Sequence, residues 1–376
     1  MTPDDNLAGW GDSWRPDRLF DRIGIDAKYG ARARCASEER RAVHAEAIFG
    51  QVKAIYAASL VGASQFWGTE LASFVLVGSL LWAFSVRRTL LSSLRKLPGH
   101  LFPRRLYLER TAKISHWNFL LVFLLWGPLF TLVTFNVFKL AESTDGWLVR
   151  NLGARTPLVV GHSAIVTAQT VILVLCMSLA AYLVHLAQHK IPVLWSLHRA
   201  HHTVEALTLP ALTRTHPIEF VMNGIGLSLG AGIPGGLLLY ALGLGKPAAA
   251  TLAIIGSMLA WRVVHGVFEH GHVPISFGPL NRVISGPILH QIHHSAQPRH
   301  RDKHMGGMFP LSIWDWMFGT LYVPVKGETY RWGLNEDEIG ANNPHMSVRA
   351  LYLEPMRHAW GVMTSWWAPR RTTYDE

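Results

Sequence analysis

The sequence predicts an all-α integral membrane bundle of about four to six spanning helices with a cytosolic, histidine-rich helical cap. Three observations predict it. Apolar runs of about twenty residues, the length that crosses a bilayer, recur along the chain. Hydrophobic residues make up 49% of the 376 positions and charged ones 16%. Histidines cluster at helical spacing where those runs end: His185 with His189, His198 with His201 and His202, His290 with His293 and His294. Residues three and four apart share one helix face, so each cluster can aim its rings at one point.

In chain order, residues 1–53 come first; they mix charges evenly (Arg15, Asp17, Arg18, Asp21, Arg22, Asp26, Lys28) and read as a polar arm. Their first residues are acidic and polar, with no charged-then-apolar signal pattern, so insertion is expected to use an internal segment. Residues 54–164 hold the first membrane helices and a basic loop. Residues 54–68 form a weak apolar stretch, and residues 70–86 form a stronger one that ends at Arg87-Arg88. The loop after it carries Arg87, Arg88, Arg95, Lys96, Arg104, Arg105, Arg110 and Lys113 against Glu109 alone. Such an excess marks the cytoplasmic side. Spans at 117–138 and 165–184 then leave and return, which delivers His185 to the cytoplasm. Residues 220–244 and 248–264 form a Gly- and Ala-rich hairpin, a composition that lets helices pack closely. The round trip puts everything from His265 onward on the same cytoplasmic face. A domain at 165–325 therefore holds all the clusters, and 326–376 remains as a C-terminal tail.

Charge and cysteines narrow the class. The formal charge is +10; a basic face beside anionic lipid explains it better than nucleic acid does. The 15 tryptophans suit an aromatic belt at the lipid–water boundary. Cys35 and Cys176 form neither a disulfide framework nor a CxxC metal site.

The histidine spacing points to metal. Imidazole suits iron, zinc and copper, and the eight histidines of the three boxes exceed the needs of one ion and fit two. Proline at 192 stops the helix that carries His185 and His189, and residues 194–202 can form a second short helix. Adjacent residues diverge by about 100° on a helix, so His201 and His202 can each reach a different ion, as can His293 and His294. His265, His270 and His272 are further ligand candidates. Glu219, Glu269, Asp302 and Asp315 are candidates to accept hydrogen bonds from the second ring nitrogens, which fixes the tautomer; His216 falls outside the ligand set, near them. His44, His100, His116, His162, His300, His345 and His358 lack partner spacing.

The boxes HxxxH, HxxHH and HxxHH, in that order, resemble those of the fatty acid hydroxylase / sterol desaturase superfamily of membrane di-iron oxygenases. Arg214-Thr-His216-Pro217-Ile-Glu219 resembles its RxHPxE stretch, and Phe268-Glu-His270-Gly-His272 its F-x-H-x-N element. Trp314-Asp315-Trp316-Met-Phe318-Gly319-Thr320 resembles its WDxxFGT element. The chain departs from the pattern at His272 and His304, where asparagine is usual. The resemblance covers about residues 165–325. It implies two iron ions, with zinc as the substituting ion, and dioxygen as co-substrate. It also implies a fatty acyl, sterol or related lipid substrate, hydroxylated beside the membrane lipids. Cleaving an unactivated C–H bond needs redox chemistry that zinc lacks. Electrons must come from outside, because no haem or dinucleotide motif is visible; a basic face suits an acidic ferredoxin- or cytochrome-type donor. A lipid desaturase of the same family stays open. So, less favourably, do a membrane zinc hydrolase, although HExxH is absent, and non-enzymatic haem or metal binding.

Overall fold

The computed structural model describes residues 90–126, 137–159, 161–248, 268–306, 311–325, 327–340 and 342–367, Gly266, and scattered positions between 46 and 80. The polar arm up to residue 45, the expected span at 248–264 beyond Ala248, and His265 lie outside the described residues. The chain divides into two units, 1–58 and 59–376, and the helices that build the site all lie in the second. Among the described residues there is no strand, only an isolated bridge between Ser295 and Trp332.

The principal helices are α1 (Leu90–Leu101), α2 (Arg110–Leu121), α3 (Val137–Leu152), α4 (His162–Lys190), α5 (Pro192–His202), α6 (Pro217–Leu242), α7 (Pro287–His293), α8 (Ile313–Met317) and α9 (Val348–Trp367). Two of them, α4 and α6, are long and apolar enough to cross a membrane, with mean hydropathies of 2.2 and 1.6 over their best windows. Helix α6 packs against both α3 and α4. Glycine makes that approach feasible: a Cβ on Gly230 would lie 2.4 Å from the Ala180 methyl of α4, and one on Gly236 would lie 2.5 Å from the Ala141 carbonyl oxygen of α3. Gln188 Nε2 donates to Asn223 Oδ1 (2.9 Å), which ties α4 to α6 beside the histidines.

Helix α3 has no counterpart among the expected spans. Lys139, Glu142 and Asp145 interrupt its apolar run, yet Ala141, Asp145 and Leu148 are buried at helical spacing. In the expected span at 117–138, α2 gives way to a π-helical turn at Val122–Trp126, and residues 127–136 lie outside the described residues. The start of that segment also ties together distant parts of the chain: Asn118 Nδ2 donates to the Thr213 carbonyl (2.5 Å) and Tyr352 Oη donates to Asn118 Oδ1 (2.6 Å). The region read as a tail contains α9, a 20-residue helix packed on α5.

The corner between α4 and α5 builds the site. Ile191 precedes Pro192 and is extended (φ −98°, ψ 115°), as a residue before proline must be. Pro192 occupies the first turn of α5, where its missing N–H costs nothing. The chain therefore folds back after one sharp step, so that His198 and His202 face His185 and His189.

Candidate metal centre

Nine histidines converge into two adjacent groups. The first contains His185, His189, His198, His202 and His293; the second contains His201, His270, His290 and His294. Within each group the candidate ligand nitrogens lie within 4.8 Å of one another. The adjacent pairs split as helical divergence requires. His202 and His293 join the first group, and His201 and His294 join the second. The groups abut: the His202 and His294 rings stack with centroids 4.6 Å apart.

The inner nitrogens are closely spaced. His198 Nε2 lies 3.1 Å from His185 Nε2 and 3.0 Å from His202 Nε2. In the second group Nε2 to Nε2 distances are 3.2 Å (His201–His270), 3.0 Å (His270–His290) and 3.1 Å (His290–His294). Four of the five outer nitrogens of the first group meet acceptors. His185 Nδ1 donates to the Met305 carbonyl (2.8 Å) and His293 Nδ1 to the Lys303 carbonyl (2.7 Å). His198 Nδ1 donates to Glu219 Oε1 (2.7 Å) and His189 Nδ1 to Asp302 Oδ1 (3.3 Å). Asp302 is held in turn by Lys190. A carbonyl or carboxylate oxygen can only accept, so the ring proton sits on Nδ1 and the Nε2 lone pair points inward. His189 Nε2 and His293 Nε2 are buried with no hydrogen-bond partner among the described residues.

Burial, reinforced by the neighbouring rings, holds His201, His202, His290, His293 and His294 well below the ordinary imidazole value. These rings are neutral at physiological pH, the form that ligates metal. In the first group the converging lone pairs of neutral buried imidazoles repel one another unless a cation lies between them. In the second, four ring nitrogens converge at ligand spacing, so the donor set fits metal at both groups.

Other sequence-picked residues fall elsewhere. His272 joins neither group. Its Nε2 donates to the His100 carbonyl (2.7 Å), and its ring packs edge-on to Phe74. Gln291 Nε2 enforces this by gripping the carbonyls of Phe268, Gly271 and Val273 (2.8–3.0 Å), which fixes the turn that separates His270 from His272. His216 caps α6, its Nδ1 accepting from Ile218 N (3.2 Å), while Nε2 faces the Tyr352 carbonyl (3.2 Å). Asp315 reaches no ring. It accepts from Met305 N (2.7 Å), Gly306 N (3.2 Å) and Thr320 Oγ1 (2.6 Å), and so places the carbonyl that His185 uses. Glu269 is fully buried beside His270, and its charge acts on His185.

Spacing alone misses several contributors. The Met305 and Lys303 carbonyls come from a loop in which Asp302 and His304 adopt positive φ (56° and 57°). Arg214, buried with 1% exposure, donates to the carbonyls of Ala200 (2.9 Å) and His345 (2.9 Å) and to Thr203 Oγ1 (3.1 Å), and so closes the C-terminal end of α5. The Trp195 ring lies 5.1 Å from that of His189 and 5.5 Å from that of His202. It lines a polar cavity of about 330 Å³, together with Arg199, Asp302, His189, His202 and His293.

An all-histidine double cluster at the end of a long apolar helix defines a candidate metal centre. The comparisons sharpen that reading. The profile of the family described as Fatty acid hydroxylase matches residues 170–320. Ornithine lipid hydroxylase OlsE of Rhizobium tropici is 30% identical over 145 residues, 39% of each chain. Alkylglycerol monooxygenase of Homo sapiens is 23% identical over 188 residues, 50% of this chain and 36% of its own. The same enzyme of Danio rerio is 27% identical over 139 residues, 37% of this chain and 27% of its own. The chain thus spans less than two-fifths of the length of these curated relatives. No solved structure matches. Residues 170–320 are thus similar to the fatty acid hydroxylase family, and every residue of both histidine groups falls inside that segment.

Proposed function

We propose that this protein is a membrane oxygenase that hydroxylates an apolar lipid, fatty acyl, sterol or related, with dioxygen and external electrons at a pair of iron ions. The observation that carries the reading is the pair of abutting histidine groups inside the family segment. The named relatives, a lipid hydroxylase and a monooxygenase of an alkylglycerol, support a lipid substrate and oxygen insertion.

In this reading His185, His189, His198, His202 and His293 hold one ion, and His201, His270, His290 and His294 the other. The irons supply the redox chemistry of oxygen reduction and C–H cleavage, which side chains alone lack. The chain supplies position and protonation state. Glu219 keeps the proton of His198 on Nδ1, Asp302 does so for His189, and the Met305 and Lys303 carbonyls do so for His185 and His293. Such partners also raise ligand basicity. Burial of the rings excludes bulk water, which favours productive use of electrons over leakage. The polar cavity reaching His189, His202 and His293 gives a water-soluble donor of ferredoxin or cytochrome type an approach separate from the apolar helices. Helices α4 and α6 cross the bilayer, and the histidines lie at its cytoplasmic side, where that donor resides.

Metal analysis with an absorption spectrum of the purified protein tests the reading. Two irons per chain and no Soret band are expected. A haem spectrum, or zinc with activity that persists without oxygen, would overturn it.

A further inference from the structure

The two histidine groups differ in more than ring count. In the first, four of the five outer nitrogens meet oxygen acceptors, so the Nε2 lone pairs are fixed inward before any ion arrives. His185 Nε2 and His198 Nε2 then face each other at 3.1 Å with no proton between them. That contact is repulsive until a cation relieves it. In the second group, Nδ1 of His201, His290 and His294 is buried with no acceptor among the described residues. Its Nε2 atoms form a chain, His201–His270–His290–His294, at hydrogen-bond distance. Neutral rings of alternating tautomer satisfy such a chain by themselves, two Nε2–H groups donating to the bare Nε2 atoms of neighbouring rings. A cation on these Nε2 atoms puts the proton of every ring on Nδ1, and for His201, His290 and His294 that position has no acceptor among the described residues. A buried donor without an acceptor is costly, and one such loss weakens an equilibrium by about tenfold.

We infer that the two metal positions are unequal: the five-histidine position holds its ion at least about tenfold more tightly than the four-histidine position, where metal exchanges. This rests on the reading that both groups hold metal. It runs against simple access. The polar cavity touches His189, His202 and His293 of the first group, whereas all four rings of the second are buried. Exposure alone would release the five-histidine ion first; the hydrogen-bond pattern reverses that order at equilibrium.

The test uses the full-length holoenzyme in detergent, dialysed to equilibrium against graded chelator, with metal per chain measured by mass spectrometry. Loss should occur in two steps with a plateau at one ion, the steps separated by at least about tenfold in chelator. Glu219→Gln and Asp302→Asn each replace a charged acceptor of the first group with a weaker neutral amide. Each should bring the second step about 10- to 100-fold closer to the first and shrink the plateau. Asp302 is 30% exposed, so its variant remains informative if the Glu219 variant does not fold. His294→Gln, which removes a ligand of the second group, should leave one ion with the resistance of the wild-type second step. A single step from two ions to none overturns the inference, as does a plateau unmoved by both acceptor variants or a weakly held remaining ion in His294→Gln. A holoenzyme that carries no metal at the outset instead overturns the metal reading itself.

Discussion

Arg214→Met is expected to destabilise the protein and loosen its metal together. Methionine keeps the length of the side chain and removes the guanidinium fork. The arginine is buried, and burial lowers it to about 10, with Glu109 and Glu205 opposing, so it stays charged at neutral pH. It makes three bonds of 2.9–3.1 Å, to Ala200 O, His345 O and Thr203 Oγ1. The carbonyls at a helix C-terminus lack intrahelical partners, and a cation there also suits the helix dipole. Hydrogen bonds from a charged donor contribute about 1.5–3 kcal/mol each. The Ala200 carbonyl keeps a second donor in Thr203 Oγ1 (2.8 Å), and removing a buried charge recovers part of its desolvation cost. The net loss comes to about 2–4 kcal/mol, concentrated at the end of α5 that carries His198, His201 and His202. Thermal unfolding in detergent and metal per chain are the two measurements. A clear fall in midpoint accompanied by metal loss is expected. Arg214→Met with wild-type midpoint and full metal would refute the role assigned to this arginine.

His201→Ala and His293→Ala, one in each group, should abolish turnover while leaving membrane insertion intact, measured by product formation and by membrane fractionation; wild-type product in either would place the centre elsewhere. Acid should release metal and destabilise the fold. Five rings, His201, His202, His290, His293 and His294, are held well below 6.5 in the folded protein, whereas the unfolded chain takes up protons as pH falls through 6.5. The stability they contribute is thus present above about pH 6.5 and is lost progressively below it, which metal retention across a pH series will show as a decline on the acid side alone. A cysteine at Arg299, whose side chain is 58% exposed, should react with a membrane-impermeant reagent only in opened cells; labelling of intact cells would reverse the proposed orientation.

The histidine boxes were legible because their spacing encodes a helix face, and adjacent histidines in a helix cannot share one ion easily. Glu219 was legible as an acceptor because the RxHPxE stretch singles it out. The Met305 and Lys303 carbonyls were not, since backbone oxygens leave no mark on residue identity and these are aimed by a loop with two positive-φ residues. His272 was a ligand candidate beside His270 although it stands where asparagine is usual; the turn that Gln291 pins sends its ring to His100 instead. Arg214 stood in a noticed stretch, but its contacts reach across more than a hundred residues to His345, which local reading does not supply. Helix α3 escaped because its charged positions break the apolar run, although its buried face follows helical period. The glycines of α6 were read as a packing surface, and Gly230 and Gly236 serve as one.

The most direct test of the central claim is the origin of the oxygen atom. Cells expressing the protein are grown under heavy dioxygen, and their lipids are compared with those of cells lacking it. A new hydroxylated lipid carrying one heavy oxygen atom from dioxygen is the expected result. A product labelled from heavy water instead, or an unsaturated product with no oxygen gained, would contradict hydroxylation at this centre.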